Sequence, residues 1–365
     1  MPVLKITPSR HQRVKRLRTL LKDSKIDGLM INDMVNIFYL TGFTGSSARL
    51  FINEHEAKIY TDKRYEEQVS AEISSKVFDV DIGSGPQQEL VLVTDMKSCR
   101  SVGFESDSLS WTEARKYLEL LDDKKVIPTV GIVEGLRTVK DDAEIERIKA
   151  AATIADAALA AVKQELANNP TEVEFARLLD QTMFNQGADA LSFETICASG
   201  PNSALPHARP SGRTIKTGDL VVLDFGAVID GYHSDMSRTY CIGDPSSESQ
   251  LLLDAVAKAQ DAGVVAVRPS AECAAIDAAC RNKLADCGLE ELFVHGTGHG
   301  VGLLIHEAPW LNSRNETKLQ AGHVVTVEPG VYRPGFGGVR IEDTILVTQE
   351  GGRLLTLAPK DPVIA

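Results

Sequence analysis

The sequence has no run of about 18 apolar residues, so it offers no membrane-spanning helix. It has no apolar stretch near its start, and no secretory signal is expected. Its six cysteines form no C-x-x-C pair, which removes zinc ribbons and thioredoxin-type motifs. Neither G-x-x-x-x-G-K-[ST] nor G-x-S-x-G occurs, so a P-loop and a nucleophile-elbow hydrolase are also out. Positive charge is short as well: 39 Lys and Arg stand against 51 Asp and Glu, a net charge of −12. That balance argues against nucleic acid as a partner, because phosphate binding needs a basic surface. It raises the question whether some surplus carboxylates are gathered to hold cations.

What remains is an ordinary soluble composition, 43% hydrophobic over 365 residues, enough for two domains. Cys273, Cys280 and Cys287 are spaced by seven, which places them on one helix face as small buried hydrophobes. With Cys99, Cys197 and Cys241 they read as reduced thiols of a cytoplasmic protein. Residues 1–26 are basic and read as an amphipathic surface helix rather than a transit peptide. That helix is capped by Ser9 and buries Val14, Leu17 and Leu21.

The fold class is α/β (α+β), with a small N-terminal α/β domain over 1–138 and a larger domain over 139–365. In the first, Leu29–Ile31, Ala48–Ile52, Ala57–Tyr60, Leu90–Val93 and Ser101–Phe104 are expected strands. Asp62–Ile73 and Trp111–Leu121 are expected helices. This domain carries no cluster of reactive residues and is expected to shape access. The segment Val126–Val139, with Pro128, Gly131 and Gly135, reads as the boundary. An Ala-rich helix follows to Ala167, Pro170 breaks it, and Thr171 with Glu174 forms a capping box for the next. Strands come next, then helices over Glu248–Val267 and Ala271–Cys287, then strands again. Helix, helix, strands thus occurs twice, which suggests two similar halves facing each other across a site.

Asp224 interrupts the apolar run Leu220–Phe225, and Asp230-Gly231 is a two-residue hairpin signal. A tight turn there sets Asp224 opposite Ser237, with Asp235 on the same sheet face. Glu328 likewise interrupts an apolar strand that begins at Val324, and Glu342 lies in a returning strand. A register centred near Gly335 makes Glu328 and Glu342 face each other. Acids buried in apolar strands are costly unless paired or on a metal. Between the hairpins, His295, His299 and His306 fall within a Gly-rich run. Its glycines at 296, 298, 300 and 302 alternate and miss the dinucleotide-loop spacing, and Trp310 stands where a zincin helix would need histidine. Four carboxylates and an imidazole make a hard, oxygen-rich donor set. That set suits Mn²⁺ better than a structural Zn²⁺ and is large enough for two ions.

Asp224, Asp235, His299, Glu328 and Glu342, in order and local context, resemble the five metal ligands of the dinuclear metallopeptidases with the pita-bread fold. That group includes aminopeptidase P, prolidase and methionine aminopeptidase. The N-terminal part is similar to the extra domain of aminopeptidase P and prolidase. Its Tyr39-Leu40-Thr41-Gly42-Phe43 motif looks like the compact bacterial aminopeptidase P.

The resemblance implies a C-terminal pita-bread domain with pseudo-twofold halves. It places two divalent ions there, Mn²⁺ first and Co²⁺, Fe²⁺ or Zn²⁺ as alternatives. Asp224, Asp235 and Glu342 would hold one ion, and Asp235, His299, Glu328 and Glu342 the other. Glu328 would carry the proton, His207 would stabilise the oxyanion or shuttle a proton, and His306 would assist. His207, His295, His306 and Arg340 would meet the substrate. The implied activity is hydrolysis of the N-terminal Xaa-Pro bond of peptides by a metal-bridging hydroxide. The implied assembly is a homodimer, with no membrane or nucleic-acid partner. An Xaa-Pro dipeptidase (prolidase) is the alternative. A non-catalytic peptide-binding module and creatinase-like chemistry are more remote, since all five ligands are present.

Overall fold

The computed structural model describes residues 9–365, so residues 1–8 and the side chain of Ser9, expected as a helix cap, lie outside it. The chain divides into two compact units, one ending at Arg137 and the other spanning Thr138–Ala365.

The first unit is built on a six-stranded sheet. Its order is Asp79–Ile82, Ala57–Thr61, Arg49–Asn53, Gly28–Ile31, Ser101–Glu105, Lys125–Thr129. The helix Ser9–Asp23 buries Val14, Leu17 and Leu21, as its apolar spacing requires. Leu90–Val93, expected as a strand, instead lies inside the helix Gly85–Lys97. Pro86 sits in its first turn, and Leu92, Val93 and Met96 turn inward while Leu90 faces out. A four-residue apolar run fits either period, and the helical spacing to Met96 decides. The segment from Val126, expected as a boundary, supplies the edge strand Lys125–Thr129 and the helix Ile132–Arg137.

The second unit repeats one plan. In its first half, helices Asp142–Val162 and Glu172–Asn185 each open on a complete capping box, Asp141 with Glu144 and Thr171 with Glu174. They pack Ala155, Leu159, Phe175 and Leu179 onto Val221, Leu223 and Phe225 of the strand Leu220–Phe225. In the second half, helices Ser247–Ala266 and Cys273–Ala285 pack Leu252, Val256, Ile276 and Cys280 onto Val325 and Val327 of the strand Val324–Val327. Side chains alternate faces along a strand. Because Val221, Leu223 and Phe225 point to one helix pair, Asp224 points away from it. Because Val325 and Val327 point to the other pair, Thr326 and Glu328 do likewise.

Both hairpins keep their expected register. Asp224 is opposite Ser237, and beyond the gap Val228 is opposite His233. Asp230 and Gly231 both take positive φ, as a two-residue turn of this hand requires. In the second hairpin Val327 is opposite Asp343, and Gly330 is opposite Arg340. In between, at Glu328-Pro329 and Ile341-Glu342, the ladder thins to one long bond, Ile341 N–H to Pro329 O at 3.4 Å. Proline has no N–H to give to the ladder. The Glu342 N–H donates to Ser237 O of the first hairpin at 3.1 Å, and the Glu328 N–H to Thr297 O at 2.8 Å. The first of these bonds joins the two halves, reaching from the opening in the second hairpin to the free edge of the first at Ser237; the second ties Glu328 to the Gly-rich run of its own half.

Arg238 locks this seam. Fully buried, it donates to Glu342 O at 2.6 Å, to Asp343 Oδ1 at 2.7 Å and to Ala358 O. Breaking a buried, hydrogen-bonded ion pair costs about 3–5 kcal/mol when the partner charge is stranded; here Asp343 keeps Lys360 at 2.9 Å, and the loss lies at the lower end of that range. Arg238→Met is expected to lower unfolding free energy by about that amount in a urea titration. A loss below about 1 kcal/mol would show that the pair does not hold the seam.

Candidate metal centre

The seam brings nine side chains to one cavity of about 710 Å³: Asp224, Asp235, His207, His295, His299, His306, Glu328, Arg340 and Glu342. They are the nine picked out from the sequence. His233, which in the sequence falls between His207 and His295, is not among its lining residues; its backbone N–H donates to Gly302 O.

His299 lies on the short strand Gly298–Gly300, pressed between Glu307–Leu311 and Val324–Val327. A Cβ at position 298 would stand 2.0 Å from Thr326 O, and one at 300 would stand 2.3 Å from Ala308 O. The alternating glycines thus serve close strand approach. The helix Cys273–Ala285 steadies the run, since the buried Asp277 accepts from the Thr297 N–H and Oγ. His299 Nδ1 donates to Gly300 O at 3.0 Å, which leaves Nε2 as the lone-pair nitrogen. Nε2 is 3.5 Å from Asp235 Oδ2 and 3.4 Å from Glu328 Oε1. Ligand atoms of Asp235, His299 and Glu342 lie within 4.8 Å of one another.

Arg340 is the cation of the group. It is buried, and its donors go to Ser237 Oγ, Pro206 O, Tyr332 Oη and Asp224 Oδ2, the last at 2.6 Å. Tyr332 passes the arrangement on to His295. The His295 Nδ1 donates to Gly296 O, so its Nε2 accepts from the tyrosine hydroxyl at 2.9 Å. Ser237 Oγ in turn donates to Glu342 Oε2 at 2.8 Å. Asp224 Oδ1 and Glu342 Oε1 are buried and have no hydrogen-bond partner among the described residues.

The charges follow from this crowding. Burial, and then the neighbouring Asp224 and Glu328, hold the Asp235 carboxyl well above its ordinary range. Burial and then Asp235, Glu328 and Asp224 do the same to Glu342. Burial pushes Glu328 up to about 8, with Arg340 pulling the other way. Burial lowers His295 and His299 to about 4, so both rings are neutral. It also lowers His306, against the pull of Asp224. The His306 ring meets the His299 ring edge-on, 4.4 Å between centroids, while His207 is exposed at the cavity.

Ser237, Thr326, Tyr332 and Arg238 escaped the sequence reading. A signal was present for two of them: Ser237 and Thr326 are polar residues on the inward alternation that also carries Asp235 and Glu328. Tyr332 and Arg238 carry no such mark.

Residues 146–349 match Metallopeptidase family M24, and residues 13–139 match the Creatinase/Prolidase N-terminal domain. The solved structure of an Xaa-Pro dipeptidase from Bacillus anthracis is 39% identical, with a TM-score of 0.94 over 98% of this chain and 100% of that one. An X-Pro aminopeptidase from Thermotoga maritima is 33% identical, with a TM-score of 0.87 over 96% and 99%. The Xaa-Pro dipeptidase of Pyrococcus furiosus is 33% identical over 96% of this chain and 99% of its own length.

The raised carboxyls carry a stability consequence. In the ion-free protein they hold protons that the unfolded chain releases, so folding binds protons and stability falls as pH rises. For Glu328 the contribution is full below the ordinary value of 4.5 and is lost as pH climbs to about 8. The lowered His295 and His299 act with the opposite sign between about pH 4 and pH 6.5, so the Tm of chelated protein is expected to fall most clearly between about pH 6.5 and pH 8, and an added divalent ion to restore it at the upper end. A chelated Tm that rises across this interval would contradict the assignment.

Proposed function

The chain belongs to metallopeptidase family M24, with a pita-bread catalytic domain behind an N-terminal α/β domain, and on that premise we propose that it hydrolyses the peptide bond between an N-terminal residue and proline. The observation that carries this reading is the group of four carboxylates and one neutral imidazole in a single cavity. Two of its carboxylate oxygens have no hydrogen-bond partner among the described residues.

That donor set fits a pair of divalent ions. One guanidinium stands against four carboxylates, a deficit that one divalent ion does not cover and two do. Asp224, Asp235 and Glu342 would hold one ion, and Asp235, His299, Glu328 and Glu342 the other. Their oxygen-rich chemistry favours Mn²⁺. When bound, such ions lower the pKa of water and polarise a carbonyl.

The protein's own side chains account for the rest. Glu328 would take a proton from the attacking water and return it to the leaving prolyl nitrogen. His207, exposed on the cavity wall, would face the oxygen of the scissile carbonyl as charge develops on it. His295 and His306 would line the proline side, with His295 oriented through Tyr332 by Arg340. Arg340 would also hold Asp224 aimed inward through its 2.6 Å hydrogen bond to Oδ2. Phe193, Ile196 and Trp310 give the same cavity apolar surface for a pyrrolidine ring. Proline offers no N–H and a fixed φ, so shape rather than a donor is what a site can read.

Two readings differ in whether the substrate continues past proline. The aminopeptidase reading takes longer peptides and has the Thermotoga maritima relative on its side. The dipeptidase reading stands level with it, with the Bacillus anthracis and Pyrococcus furiosus relatives on its side. The six cysteines, all free thiols, support a cytoplasmic setting, and we place a homodimer there.

Purified protein with Mn²⁺ is expected to cleave Ala-Pro or Ala-Pro-Ala and to leave Ala-Ala-Ala nearly intact. Chelation should abolish turnover and Mn²⁺ should restore it. Glu328→Ala is expected to lower turnover at least about a hundredfold while the fold, read by circular dichroism, persists. Protein that binds Ala-Pro peptides but turns none over would favour the non-catalytic module instead.

A further inference from the structure

Cleaving a dipeptide sets a requirement that cleaving a longer peptide does not. In Xaa-Pro the free carboxylate is attached to the prolyl Cα. Its carbon lies only about 2.5 Å from the nitrogen of the scissile bond. It must enter the same cavity as the reacting carbonyl, where a carboxylate taken out of water without a partner is costly. In Xaa-Pro-Yaa that place is taken by a neutral amide. A site that prefers dipeptides therefore gains from a cation of its own for that charge, beyond the ions that offset the four cavity carboxylates.

Among the described residues two cations line the cavity, Arg340 and Arg209. Arg340 is committed: its guanidinium is buried and bonded to Ser237, Pro206, Tyr332 and Asp224. Arg209 is different. It lies two residues beyond His207, lines the same cavity, and its side chain is 83% exposed. It forms an ion pair with Glu194, 3.3 Å away, itself 65% exposed and also lining the cavity. Such solvent-exposed pairs are held by less than about 1 kcal/mol, so an entering carboxylate can replace Glu194 on the guanidinium. The planar fork of arginine takes a carboxylate through two parallel hydrogen bonds.

We propose that Arg209 is the specificity-determining residue that receives the free carboxylate of an Xaa-Pro dipeptide, with Glu194 as the internal competitor that the substrate displaces. The inference rests on the Xaa-Pro reading above. Arg209 then sets how well the enzyme tells a chain that ends at proline from one that continues. Glu194 moderates that preference, because every dipeptide must first take its place.

Ala-Pro and Ala-Pro-amide differ by one charge at this position, so the ratio of their kcat/KM values isolates it. The holoenzyme is expected to favour Ala-Pro. Arg209→Ala should lower the ratio by about tenfold, Arg209→Lys should keep much of it, and Glu194→Gln should raise it by about threefold. A ratio rather than a rate is read, so a general loss of activity in a variant cancels. A ratio that stays at the wild-type value in Arg209→Ala, or a wild type indifferent to the amide, overturns the role of Arg209. Failure of the wild type to cleave either compound, or Ala-Pro-Ala, overturns the Xaa-Pro reading itself.

Discussion

The hydrogen bond from the Glu342 N–H to Ser237 O is where the second unit is decided. At that point two hairpins, each packed by its own helix pair onto an apolar cluster, meet: the ladder of the second opens, and its Glu342 N–H is satisfied by Ser237 O on the free edge of the first. Buried backbone groups must be paired, so this donor is met only when the halves join. Ser237 and Thr239 face Arg340 and Glu342 across the join, and Thr344 donates to Asp235 O. The polar residues of the cavity are the inward faces of strands whose outward faces are almost wholly apolar. Site and core are thus two sides of the same alternation.

Arg340 converts this geometry into an electrostatic arrangement. It touches both hairpins, the loop before His207 and, through Tyr332, the Gly-rich run that carries His295. Burial works against its charge, but Tyr332, Asp224 and Glu328 outweigh burial and hold its pKa well above normal. It is therefore a permanent cation, and the carboxylates around it can be shared between that charge and whatever cations enter the cavity. A lysine there would keep the charge and lose the fork that reaches four partners at once.

Much of this was legible in the residues. The alternation of apolar and acidic positions around Asp224 and Glu328, with turn signals at Asp230-Gly231 and near Gly335, was enough to set both registers. The capping box at Thr171 marked its helix. Leu90–Val93 went astray because four apolar residues carry no period, and only the packing of Met96 decides for a helix. Asp79–Ile82 and Lys125–Thr129 were missed because both are sheet edges, where burial leaves little apolar pattern to read. Tyr332 and Arg238 were invisible for another reason. Their partners lie in distant parts of the chain, and no spacing rule encodes a contact between a side chain and a remote carbonyl.

Asp224 and Glu342 stand on opposite sides of the seam, with more than a hundred residues of chain between them. The sheet of the first unit is complete once Thr129 has been made. The group of four carboxylates and His299, by contrast, has no complete version in any N-terminal fragment that stops short of Glu342. On the ribosome the acidic strand around Asp224 must wait, uncompensated, while both helices of the second half are synthesised. Contacts of such long sequence separation form slowly. Assembly of this acidic cluster is thus a late event in the life of each new chain, tied to the joining of the two halves rather than to the folding of either.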